Sequence, residues 1–235
     1  MSEKVNQPCQ HSLKAYVFGA LVISLAAIGA AQQAPVPMEE ESHHHVLLKN
    51  RFVEVVRATI AAGESTLFHT HAHDQAGFYL VNSRTAEQML GKPEEPPSTS
   101  QAGEVWAESL AKGPYTHRVR NVGEDPFDVF VVQFLQRPKE NSAAPAAAVA
   151  AENASAWVYK WVLAPGATSV MHTHEHPYLI CAATLLHLKM TAPDGNYSIE
   201  DELKPGDFHW VDSKVTHALS NQGTAPGQIV EMELK

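Results

Sequence analysis

The sequence predicts an all-β protein built as two small β-barrels in tandem, and two observations carry that expectation. The chain repeats itself: Gly63 to His73 (GESTLFHTHAH) recurs as Gly166 to His176 (GATSVMHTHEH), 103 residues on. The same offset takes Gly103 of GEVWAE to Gly206 of GDFHWV, while THRVRNVGEDP (Thr116 to Pro126) recurs as THALSNQGTAP (Thr216 to Pro226), 100 residues on. Ordered blocks repeating at nearly one offset mark a duplicated domain, with a three-residue insertion in the first copy between Gly103 and His117. Each copy also reads as short runs of β-branched and aromatic residues bounded by Gly, Pro and Asn. RFVEVVRATI, FYLVN, DVFVVQFL, AWVYKWVL, LLHLKM and QIVEMEL are examples. Such runs at regular spacing, with no long amphipathic helix between them, predict a sandwich or barrel.

The repeat sets the boundaries. The first barrel is expected over residues 44–136 and the second over 155–235. Residues 137–154, rich in Ala with Ser, Asn and Pro, read as a linker. At 235 residues, with 44% hydrophobic and 18% charged content, the chain has an ordinary globular composition. A net charge of −9 with only 17 Lys plus Arg argues against a nucleic-acid partner, which needs a concentrated basic surface.

Residues 1–31 stand apart. Lys4 and Lys14 precede an uncharged run, Ala15 to Ala31, which ends in small residues before the polar QQAPVP. That order predicts a secretory signal cut after Gly29-Ala30-Ala31, and so an exported protein, periplasmic or extracellular. A membrane anchor over residues 15–31 is the alternative, and no other contact with a membrane is expected. Cleavage removes Cys9 and leaves Cys181 alone, so neither an internal disulfide nor a thiolate zinc site is expected. Cys181 follows the apolar YLI and reads as buried and inert.

Chemistry is concentrated in the repeated HTHxH. Alternate residues of a strand share a face, so His69, His71 and His73 project together, as do His172, His174 and His176. Two imidazoles so placed, joined by a third from a neighbouring strand, make a metal set with open positions. His117 and His217, each in T-H-x-x-x-N, are the candidates for the third.

Gly-x5-His-x-His, followed downstream by a glycine and His-x3-Asn, resembles the two motifs of the cupin superfamily. The second copy matches fully (Gly206, His217, Asn221); the first matches with its insertion (Gly103, His117, Asn121). The resemblance covers nearly the whole chain after residue 43 and implies small jelly-roll barrels, a bicupin. It implies a divalent metal (Fe, Mn, Ni, Cu or Zn) on His69, His71 and His117 and on His172, His174 and His217. A dimer formed through exposed strands is also implied. The family adds a glutamate three or four residues after the histidine pair, but Gln75 or Ala76 and Tyr178 or Leu179 stand there, so three-histidine sets are expected. Gln75 reads as a weak fourth ligand, and Tyr178 as a phenolate ligand or a catalytic proton carrier. His73 and His176 read as pocket or supporting residues.

Three further groups draw blander expectations. His43 to His45 read as an exposed lead-in to the first strand, because consecutive residues alternate faces. His187 and His209 read as ordinary strand residues, and Trp157, Trp161 and Trp210 as core. There is no phosphate loop, nucleophile elbow or H-E-x-x-H. The functional expectation is a metal-dependent oxygenase or lyase acting on a small oxygen-bearing substrate. A non-catalytic small-ligand or metal-binding bicupin, with one or both sites degenerate, is the alternative.

Overall fold

The computed structural model describes residues 34–110, 112–138, 145, 147–195, 198–212 and 214–235. The expected signal or anchor over residues 1–31 lies outside them. Among the described residues no helix is long and apolar enough to cross a membrane.

The first barrel is made from β1 (Val36–Pro37), β2 (His44–Lys49), β3 (Val53–Ile60), β4 (His69–His71), β5 (Gln75–Tyr79), β6 (Ser83–Met89), β7 (Ser98–Ser100), β8 (Val105–Glu108), β9 (Tyr115–Asn121) and β10 (Phe127–Phe134). Its two sheets run β1-β4-β9-β6-β7 and β2-β3-β10-β5-β8. The second barrel uses β11 (Val149–Glu152), β12 (Ala156–Leu163), β13 (His172–His174), β14 (Tyr178–Ala182), β15 (Leu186–Thr191), β16 (Ser198–Leu203), β17 (Phe208–Val211), β18 (Val215–Asn221) and β19 (Gly227–Leu234). Its sheets run β11-β12-β19-β14-β17 and β13-β18-β15-β16, the same order without the short outer strand. Two strands fall outside the ranges drawn from the repeat. β1 pairs in parallel with β4 ahead of residue 44, and β11, within the Ala-rich stretch, pairs with β12.

Period-two alternation explains why the long strands are apolar almost throughout. On β3, Val56, Ala58 and Ile60 face the interior of the first barrel, where they meet Phe127, Val129 and Val131 of β10. Val53 and Val55 face the other way, into a second core shared by the two barrels. Ala156 and Val158 of β12 and Val230, Met232 and Leu234 of β19 enter that shared core from the other side. Strands buried on both faces read as continuous hydrophobic runs. Phe130 stacks on Phe78 (5.0 Å) and meets Phe208 of the second barrel edge-on at 5.4 Å. Each large side chain removed from water in this layer contributes about 1.5–3 kcal/mol. The two barrels thus share one core instead of hanging from a linker. Cys181 is fully buried in this layer and burial raises its thiol pKa, which removes it from thiol chemistry.

The glycines and asparagines of the repeated blocks are structural. Gly103 and Gly206 both sit at positive φ (+75° and +90°), and a Cβ on Gly103 would come within 2.5 Å of Gln228 of the other barrel. Asn121 and Asn221 are completely buried. Each donates to two backbone carbonyls (Ile60 and Asp125; Leu163 and Ala225) and accepts from the N–H two residues on, locking a turn at the end of β9 and β18.

Candidate functional site

Register brings each histidine triad together. In the first barrel His69 lies opposite His117 across β4 and β9; in the second, His172 lies opposite His217 across β13 and β18. The partner at position i+2, His71 or His174, points to the same face. All six are buried. The nitrogens that can ligate lie within 4.8 Å of one another in each group.

Hydrogen bonds from the outer ring nitrogens fix the tautomers in the first barrel. Nδ1 of His69 meets the Leu67 carbonyl (3.0 Å), that of His71 meets Oε1 of Gln75 (2.7 Å), and that of His117 meets the Glu87 carboxylate. Each partner only accepts, so each Nδ1 carries the proton and each Nε2 turns a lone pair inward. Nε2 of His71 and of His117 are 2.9 Å apart. Two lone pairs so close repel unless a cation lies beside them, and bonds of ~2.1 Å at a right angle place their donor atoms ~3.0 Å apart. Burial, then the neighbouring imidazoles, holds His69 down to about 2 and His71 down to about 3, so both are neutral ligands at physiological pH.

The second barrel repeats this with an addition that corrects the sequence expectation of a three-histidine set. The carboxylate is present, but it comes from the last strand: Glu231 of β19 faces inward, with its oxygens 3.1, 3.3 and 3.0 Å from Nε2 of His172, His174 and His217. These four form one ligand group. Nε2 of His172 and His217 are again 2.9 Å apart. Nε2 of His174 and Oε1 of Glu231 are buried and lie 3.3 Å apart without forming a well-aligned hydrogen bond, an arrangement that suits two ligand atoms converging on one ion position. His172 gives Nδ1–H to the Val170 carbonyl and His174 gives its own to Glu233. Burial opposes charge on His174, but Glu231 and Glu233 outweigh it and raise its pKa to about 9. Burial likewise opposes charge on Glu231, yet the three histidines hold its pKa far below the usual carboxylate range. Both barrels carry a buried group able to hold a divalent metal, which in the second has to displace the His174 proton.

The supporting residues differ from their expected roles. Trp161 is more than core: it stacks on His172 (4.8 Å) and its indole N–H donates to Glu231 at 2.6 Å. Tyr178 is fully buried, stacked on His174 (3.9 Å), with its hydroxyl 3.4 Å from Nδ1 of His217, the nitrogen turned away from the ligand centre. Gln75 is spent on His71, Glu108 and Tyr115, so it orients a ligand and holds Tyr115. His73 is exposed, outside the site. His176 is buried and its backbone N–H donates to Glu233, but its ring stays outside the ligand group. His187 and His209 lie at the surface beside Glu200 and Asp201.

His44 corrects the expectation of an exposed lead-in. Its side chain is 7% exposed, its ring meets His69 edge-on at 4.7 Å, and its Nδ1 binds the Met38 carbonyl at 2.7 Å. The buried carboxylate of Glu41 anchors this N-terminal strap through the N–H groups of His43 and Leu67. His43 itself pairs with Glu41 and Glu64, outside the site.

The two interiors have diverged. The first barrel holds a cavity of about 250 Å³ reached by His44, His69, His71, Glu87, Glu108 and His117. By the register of the repeat, Ala58, Thr85 and Ser100 are replaced in the second barrel by Trp161, Leu188 and Leu203. Glu87, Glu108 and Tyr115 are replaced by Met190, Val211 and Val215. The second barrel braces the first site as well: buried Asn153 donates to the backbone carbonyls of Gln75 and Glu108.

No protein-family model matches the sequence, and no curated protein matches it. Solved structures match by fold. AerE from Microcystis aeruginosa superposes with a TM-score of 0.58 at 14% identity, over 86% of this chain and 98% of its own. The bacterial pirin YhhW of Escherichia coli, in complex with nickel(II), gives 0.54 at 13% identity over 81% and 90%. An oxalate decarboxylase of Bacillus subtilis gives 0.52 at 12% identity over 82% and 75%.

Proposed function

We propose that this chain, which has the bicupin fold of the cupin superfamily, is an exported protein with a divalent ion in each barrel and its working site in the first. The observation that carries the division of labour is the cavity beside His69, His71 and His117. In the second barrel, four protein ligands and larger apolar side chains occupy the matching space. On this reading the second metal braces the shared core, and the first meets a small oxygen-bearing substrate. Export rests on the sequence of residues 1–31.

A divalent ion with open positions supplies Lewis-acid polarisation of a bound oxygen. Glu87 and Gln75 hold the His117 and His71 rings so that Nε2 faces inward. Tyr115 stays a phenol, its pKa raised by burial and then by Glu108, and donates to Glu108 at 2.8 Å. Glu108 is the carboxylate at the cavity that can accept a proton. A proton acceptor beside a polarised oxygen is what a lyase needs, so that is the favoured member of the oxygenase-or-lyase pair.

The test is metal content together with ligand binding, on protein purified without a histidine tag. About two equivalents are expected in the wild type, one of them lost with His69→Ala plus His71→Ala and the other with His172→Ala plus His174→Ala. Small-molecule binding should vanish only with the first pair. No metal in the wild type after reloading with iron, manganese, nickel, copper or zinc would leave a ligand-binding bicupin in its place.

A further inference from the structure

The charges and hydrogen-bonding groups around the first cavity point to the class of molecule it takes. We propose that the first barrel selects an uncharged, hydroxyl-bearing small molecule with one apolar side, and rejects carboxylates and phosphates of similar size. This rests on the reading that the first barrel is the working one.

Three observations carry the proposal. Among the described residues lining the cavity there is no lysine or arginine, but there are two glutamates, Glu87 and Glu108. A divalent ion on three neutral imidazoles keeps its full charge. The two carboxylates offset it, so the cavity offers an anion no net attraction and places Glu108 against it. A binding site for a carboxylate or phosphate would ordinarily present an arginine fork or a lysine.

The polar groups that remain include two acceptors, beside the unpaired indole N–H of Trp106 and the hydroxyls of Thr85, Ser98 and Ser100, which can meet a hydroxyl oxygen. His44 gives its Nδ1–H to the Met38 carbonyl, which leaves Nε2 as a lone pair on a ring that lines the cavity. Glu108 receives Gln75 and Tyr115 on Oε2 and keeps Oε1 as an acceptor. Acceptors on this scale are met by O–H or N–H donors on the ligand. A carboxylate brings none.

The opposite wall is apolar: Ile60, Val129 and Val131 line it, with Val131 where the second barrel has Glu231. At about 250 Å³ the cavity lies just below the ~300–1,000 Å³ of drug-sized pockets. A compact molecule with hydroxyls on one edge and hydrocarbon on the other satisfies both walls.

The experiment uses metal-loaded full-length protein and two probes of matched size, cis-1,2-cyclohexanediol and cyclohexanecarboxylate, followed by calorimetric titration and by the spectrum of cobalt(II) in the site. The diol should bind at least about tenfold more tightly than the carboxylate. Glu108→Gln should narrow that ratio about tenfold, chiefly by admitting the carboxylate, and His44→Phe should weaken the diol while leaving the metal content unchanged. Preference for the carboxylate, no detectable binding of the diol, or a ratio unmoved by Glu108→Gln would overturn the proposal. Metal content measured on the same samples separates the two failures: no metal in the first barrel sinks the functional reading, and metal present with the anion preferred sinks only the choice of ligand.

Discussion

Glu231 and Val131 occupy the same position in the last strand of their barrels, both facing inward, opposite Tyr159 and Val56, which are themselves equivalent in the repeat. One residue thus sets the second barrel as a four-ligand site and the first as a three-histidine site open to a cavity. Glu231→Val should reduce the second barrel to a three-histidine set like the first, weakening its metal and leaving that of the first unchanged, read by chelator competition. Glu231→Gln should weaken that ion by more than the roughly 10–100-fold that loss of a supporting contact costs. Val131→Glu should tighten metal binding in the first barrel while closing its cavity to ligands. An unchanged metal affinity of the second barrel in Glu231→Val would show that the carboxylate is no ligand.

Trp161 serves the second site from outside the ligand set, by stacking on His172 and donating to Glu231. Trp161→Phe keeps the ring and loses the donor, so it should weaken the second metal by roughly 10–100-fold with little change in melting temperature. Trp161→Ala also removes the filler that distinguishes this interior from the first, and should cost about 3 kcal/mol in denaturant unfolding. If the phenylalanine variant held its metal as the wild type does, the indole N–H would have no part in the site.

Much of this architecture was legible because it rests on local signals. The duplicated Gly–HTHxH block fixed the barrel count, and alternation put His69 with His71 and His172 with His174 on shared faces. Pairing with His117 and His217 followed from the second block. What was not legible came from strands far away in sequence. Glu231 and Glu233 were visible as two acids in the otherwise apolar VEMEL, where the first copy reads FVVQF, but only the register of β19 turns them inward. His44 looked like one of three surface histidines, because the strap that buries it depends on Glu41 reaching the Leu67 N–H. The shared core was hidden for a related reason: a strand buried on both faces shows no alternation to read.

That shared core makes a prediction about cooperativity. Phe78 and Phe130 of the first barrel pack against residues of the second in one layer. Phe78→Ala should cost about 3–5 kcal/mol, and the loss should appear in both barrels. Calorimetry should show a single transition, and metal should leave the second barrel at the denaturant concentration that unfolds the first. Two separated transitions would mean that the layer does not couple them.

Acid should loosen the first site through its strap. Burial pushes the Glu41 carboxyl up, but hydrogen bonds from the His43 side chain and from the N–H groups of Leu67 and His43 outweigh it and hold it below its ordinary 4.5. A depressed folded value means that Glu41 contributes stability above about pH 4.5, and that this is lost as the pH falls through the lower folded value. Glu41 binds the Leu67 N–H while the Leu67 carbonyl holds Nδ1 of His69, so release of the strap frees a ligand and withdraws His44. Hydrogen exchange should show the Leu67 amide and the Thr59 amide, which donates to the His43 carbonyl, losing protection together below about pH 4.5 while β19 stays protected. Glu41→Gln should lower that protection at neutral pH by about 1–3 kcal/mol and flatten its pH dependence. Equal protection of the wild type at pH 7 and pH 4 would rule out Glu41 as the group that holds the strap.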